Sequence, residues 1–194
     1  MRPLAILLTT LLLTPIVWGQ QHDHRTMERG DLLFFEDTAG MGSAVRESTG
    51  NYTHVALVET VGDTLWIIDA TPRHGVSRHP ISLETSNSTI YRLTISFDTA
   101  AVLTRAKSLI GQPYDDAFLP DNGKIYCSEL IYEVFLDSVG NHLFKSKPMN
   151  WRNKDGNLPE YWQNHFKALD MPVPEGVPGT NPTDLSRSPL LRKL

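Results

Sequence analysis

One cysteine, Cys127, is all that a chain of 194 residues carries. An internal disulfide is therefore excluded. Long runs of one charge sign are also missing, and the formal net charge is only -4. That argues against a polyanion such as nucleic acid as partner. Long apolar stretches are confined to the start. Beyond Val17 nothing is apolar enough to span a bilayer, and the run from Leu4 to Val17 is itself shorter than the roughly 20 residues of a spanning helix. No motif requires a metal or an organic cofactor. Internal repeats are absent as well.

What is present begins with that apolar run. Met1-Arg2-Pro3 precedes it, and Val17-Trp18-Gly19 follows with a small residue. This is the layout of a signal peptide over residues 1–19, and it predicts a periplasmic or secreted product. A mature chain starting at Gln20 would carry His22 at position three, a copper- or nickel-binding arrangement that usually stays idle. In an oxidising compartment a lone cysteine is a free thiol or an intermolecular link, which makes Cys127 informative before its neighbours are read.

Strands and helices alternate without a regular unit, so the expected class is α+β. Gly30-Asp31 leads into the apolar strand Leu32-Leu33-Phe34-Phe35. Residues 41–49 read as a short helix stopped by Gly50. Residues 53–61 and 65–70 read as strands joined through a tight turn at Gly62-Asp63, forming a hairpin. Further strands are expected at 75–78 and 88–93. Asp98 caps a helix that Gly111 ends. A loop over 112–125 contains Pro113, Pro120 and Asn122-Gly123. Helices follow at 127–139 and 158–169, the second with Pro159 in its first turn. The Pro- and Gly-rich segment from Met171 reads as extended chain. The expected division is a domain over 30–182 and a tail over 183–194.

Cys127 opens a helix, where unpaired amides and the helix dipole stabilise a thiolate and can receive an oxyanion. His54, alone among seven histidines, is embedded in a strongly apolar strand, a rigid mount for a general base. His74 and His79 fall in an expected loop. An orienting partner for the base is expected at Asp69, an acid ending the apolar run Trp66-Ile67-Ile68, with Glu59 and His74 as rivals. Tyr114, in the loop before the cysteine, could donate to an oxyanion or be an ordinary buried tyrosine. Glu129 suits the first turn of a helix without any catalytic role. The sequons Asn51-Tyr52-Thr53 and Asn87-Ser88-Thr89 accept glycans only in a host with that pathway.

Three stretches carry a family resemblance: Gly30-Asp31-Leu32-Leu33-Phe34, Thr53-His54-Val55-Ala56-Leu57-Val58, and Tyr126-Cys127-Ser128-Glu129-Leu130-Ile131-Tyr132. Gly111-Gln112-Pro113-Tyr114-Asp115 and Pro178-Gly179-Thr180-Asn181-Pro182 add to it. The chain resembles the circularly permuted papain-like amidases of the YiiX and YaeF type, relatives of the NlpC-like cell-wall peptidases. The resemblance implies an antiparallel sheet packed on helices and a thiol hydrolase acting on an amide or ester. It also implies a third polar catalytic residue on the strand after the histidine. By position that is Asp69, where the family often has Glu.

The expected function is amide hydrolysis through a thioester on Cys127, perhaps on a cell-wall peptide. The alternatives are acyl transfer to or from a lipid, with Trp151, Tyr161 and Trp162 lining an apolar groove, and a non-catalytic binding module that kept the fold. The expected partner is thus a peptide or other amide-containing molecule, peptidoglycan or lipid among them.

Overall fold

The computed structural model describes residues 27–61, 64–81 and 87–194. The leader, the His22 site and the Gly62-Asp63 turn lie outside the described residues. Among the described residues, eight strands and five helices follow in the order β1 (Leu32–Phe35), α1 (Gly40–Thr49), β2 (His54–Thr60), β3 (Leu65–Thr71), β4 (Gly75–Ile81), β5 (Ser88–Leu93), α2 (Thr99–Ser108), α3 (Cys127–Val134), β6 (Lys147–Pro148), α4 (Glu160–Ala168), β7 (Pro178–Gly179), α5 (Pro182–Ser186) and β8 (Leu191–Lys193).

Six strands form one antiparallel sheet in the order β4-β3-β2-β1-β5-β8. Its central strands are buried on both faces, which explains their nearly unbroken apolar sequences. Leu32, Phe34, Val55, Leu57, Ile68 and Ala70 join the main core with the helices. The alternate residues Leu33, Ala56, Val58 and Ile67 form a second cluster on the opposite face. Helix α3 packs on β2 and β3, and α2 packs beside α3. Buried Asp31 accepts two bonds from Arg92, from Nε and Nη2 at 2.8 Å each, and so ties the start of β1 to β5.

Three expectations need correction. Helix α3 stops at Val134 rather than 139, because the Asp137 carboxylate accepts the Val139 and Asn141 amides at 2.9 Å and turns the chain. Residues 183–194 are no tail: α5 starts at Pro182, and β8 extends the main sheet by pairing with β5. Strand β4 continues past Arg78 through His79 and Pro80 to Ile81. Proline is tolerated there because β4 is an edge strand.

Glu59 clamps the fold. The β2–β3 register slips between Val58 and Thr60, leaving Glu59 unopposed. Its buried carboxylate takes Arg78 Nη2 at 3.0 Å and Lys107 Nζ at 2.6 Å, joining β2, β4 and α2. Burial resists the charge, but the Lys107, Thr60 and Arg78 donors outweigh it and hold the acid down at about 2. Gly75 opens β4 with φ 62, and a Cβ there would lie 2.1 Å from the Gln112 carbonyl oxygen. That same oxygen accepts the Val76 amide at 2.9 Å, which fixes the loop leading to Tyr114.

Two outcomes follow in thermal or urea unfolding. Glu59→Gln lowers stability at neutral pH. Because the folded acid sits below its ordinary value of 4.5, its contribution is complete above pH 4.5 and fades as pH falls toward about 2, so the gap to wild type closes over that window. Gly75→Ala destabilises by about 2 kcal/mol or more, since it combines a left-handed backbone with a clash against a hydrogen-bonded carbonyl.

Candidate active site

Strand β3 brings the polar residues together. Asp69 lies on it between β2 and β4, and continuing the Leu57–Ile68 register places Asp69 diagonally across from His54. Pleat alternation puts both on one face of the sheet. His54 Nε2 meets Asp69 Oδ2 at 2.8 Å. The Asp69 side chain is only 4% exposed, against 26% for His54. With Nε2 committed to the carboxylate, Nδ1 is the nitrogen left free, and the His54 ring and Cys127 line the same cavity.

Cys127 is the first residue of α3 and the one cysteine of the chain. It is 7% exposed and lines a cavity that it shares with His54. The Tyr126 amide donates to Glu129 Oε2 at 3.3 Å, so Glu129 closes the helix start instead of facing the thiol. Burial of Glu129 pushes its carboxyl up to about 8. The first amides of a helix have no partner within it and point out of its amino end, where an oxyanion would form.

The charges reinforce one another. Burial disfavours the imidazolium of His54, but the Cys127 thiolate, the Asp69 hydrogen bond and the Asp69 charge outweigh it and push the ring up to about 10. The Asp69 carboxyl is correspondingly held down: burial opposes its charge, and the His54 and His79 contacts overcome that. The arrangement therefore favours a protonated ring beside Cys127.

The cavity holds about 290 Å³. Met41 and Val45 from α1, Tyr114 and Phe118 from the loop before α3, and Met149, Trp151 and Trp162 supply apolar parts of its wall, beside polar residues such as Ser48, Asn150 and Thr180. Phe118 adopts φ 54, rare for a bulky residue. Its ring is wedged against Tyr126 (5.2 Å), Trp151 (5.1 Å) and Trp162 (5.8 Å), contacts that hold a backbone costing about 1–3 kcal/mol.

Of the residues singled out from sequence, Cys127, His54, Asp69 and Tyr114 come together. Tyr114 lines the cavity, but its hydroxyl turns to Met41 Sδ at 3.9 Å. Burial and the nearby Cys127 charge push that phenol well above its ordinary range, so it stays a neutral donor. Glu59 is excluded from the third position by its ion pairs. His74 is exposed in the β3–β4 turn. Trp151 and Trp162 are buried walls rather than exposed aromatics, and Tyr161 packs behind Trp162 at 5.1 Å. Sequence reasoning missed His79, whose Nε2 meets Asp69 Oδ1 at 2.9 Å. The sequence carried no clear signal for it, because Ser77, Arg78 and His79 are consecutive polar residues and Pro80 argues against a strand.

Asp69→Asn removes the charge that steadies the imidazolium. Labelling of Cys127 by iodoacetamide at neutral pH is expected to slow by about tenfold, the worth of one charge-assisted hydrogen bond. Labelling at the wild-type rate would show that Asp69 has no hold on the pair.

Comparison with known proteins places this geometry. The chain superposes on the crystal structure of the metalloprotein yiiX from Escherichia coli O157:H7 with a TM-score of 0.71 and 18% sequence identity, over 86% of this chain and 96% of that one. Among the described residues no group of three or more His, Cys, Asp or Glu side chains is placed to hold a metal ion. No curated protein matches the sequence. A family model described as "Permuted papain-like amidase enzyme, YaeF/YiiX, C92 family" matches residues 26–194. The chain therefore belongs to the permuted papain-like amidases of the YaeF/YiiX family, which are hydrolases of amide bonds.

Proposed function

We propose that Cys127 is the nucleophile of this amidase, with His54 its general acid and base and Asp69 the group that orients the imidazole. One observation carries the reading. A half-buried imidazole has one nitrogen on a buried carboxylate at 2.8 Å and lines one cavity with the cysteine that opens a helix. In this mechanism the Cys127 thiolate attacks the carbonyl carbon of the amide. The first amides of α3 take the developing oxyanion, and Tyr114 is a second donor if its hydroxyl leaves Met41. His54 then gives its proton to the departing amine as the C–N bond breaks, leaving a thioester. Water attacks next, His54 takes its proton, and the acid leaves with the thiolate restored.

The cavity supports a reading of the substrate class. Asp37 is the one carboxylate among its lining residues, and aliphatic, thioether and aromatic groups supply most of the rest. Such walls suit an uncharged, apolar acyl portion. They also favour a second reading, in which the thioester carries a lipid acyl chain and passes it to an alcohol or amine. A cell-wall peptide remains the leading amide, on the resemblance stated for the sequence. The leader-like start supports a periplasmic or secreted enzyme.

The test uses a panel of N-acyl p-nitroanilides, from acetyl to octanoyl, beside short peptide anilides. Cys127→Ala is expected to lower kcat by about 10³-fold or more, and prior iodoacetamide treatment of the wild type should do the same. Release of free acid marks hydrolysis, whereas an acyl adduct on an added alcohol or amine marks transfer. Full turnover by Cys127→Ala would remove the thiol from the chemistry.

A further inference from the structure

Asp69 has two carboxylate oxygens, and each meets an imidazole. His54 Nε2 lies 2.8 Å from Oδ2 and His79 Nε2 lies 2.9 Å from Oδ1. The arrangement follows from register. Strand β4 pairs Ile67 with His79 and Asp69 with Ser77, so His79 is diagonal to Asp69 on one side as His54 is on the other. Three residues on three neighbouring strands thus share one face of the sheet.

We infer that His79 is a positioning residue of the active site, which holds the Asp69 carboxylate so that Oδ2 presents to His54. It touches no substrate and acts through Asp69 alone. The inference rests on the assignment of Cys127 and His54 as the reacting pair.

Three observations support it. The Asp69 side chain is 4% exposed, so its direction is set by the protein rather than by a hydration shell. Ser77, the residue opposite Asp69, has a buried hydroxyl without a hydrogen-bond partner and does not compete for Oδ1. Arg78 turns instead to Glu59 and lies over the Trp66 ring at 3.9 Å. His79 Nδ1 faces the Pro80 carbonyl at 3.4 Å, and its Nε2 has only the carboxylate to meet. A side chain 41% exposed and directed inward onto a buried acid has the form of an outer support for a catalytic group.

The experiment measures the rate of Cys127 alkylation by iodoacetamide at neutral pH, with a melting curve for each variant. His79→Leu removes the donor, and labelling is expected to slow by roughly tenfold while the fold is retained. His79→Gln offers an amide N–H at similar reach and should bring the rate back to within about twofold of wild type. His79→Phe keeps the ring without the donor and replaces His79→Leu if the latter melts early. Wild-type labelling in the donor-free variant overturns the inference, as does a His79→Gln protein as slow as His79→Leu. If wild-type Cys127 itself resists the reagent, the assignment of the reacting pair fails first and takes this inference with it.

Discussion

A carboxylate shut away from water must be satisfied by donors, and in this chain the donors are imidazoles. Asp69 sits on the third strand of the sheet with one histidine on each neighbouring strand. That constraint orders the rest of the site. It commits His54 Nε2 to the sheet and leaves Nδ1 free. It also steadies a protonated His54 ring. In the proposed mechanism the sheet supplies the proton machinery and the helix supplies the nucleophile. Packing of α3 on β2 and β3 is what brings the two together.

Around this polar pair the protein builds an apolar chamber. Its walls come from α1, from the loop before α3, and from residues 149–162, segments distant in sequence that meet only in the folded core. Phe118 shows how tightly the chamber is specified. Its backbone is strained, and the rings pressing on it are themselves buried. In the proposed reaction such a wall would select by size and apolar character, while polar groups at the helix start would fix where a carbonyl lies.

Much of this was legible in the sequence. The apolar strands, the Gly50 stop, the Asp98 cap and the helix opened by Cys127 are local matters, decided by periodicity and capping. The His54–Asp69 partnership was legible because a hairpin register is nearly local too. What stayed hidden was set by tertiary contacts. Glu59 looked as able as Asp69 until the register slip turned it toward Lys107 and Arg78. His79 was concealed because Pro80 argues against a strand, and only the edge position of β4 permits it. The Leu191–Lys193 strand carries no strong pattern of its own and is held by its partner β5.

The account stands on a shared proton between His54 and Cys127. Titration of the His54 ring by nuclear magnetic resonance tests that contact most directly, in the wild type and in Cys127→Ala. The account predicts a wild-type ring that stays protonated through neutral pH and titrates near about 10, and a Cys127→Ala ring that titrates well below that once the thiolate is gone. A wild-type ring titrating near its ordinary 6.5, unmoved by loss of the thiol, would contradict it.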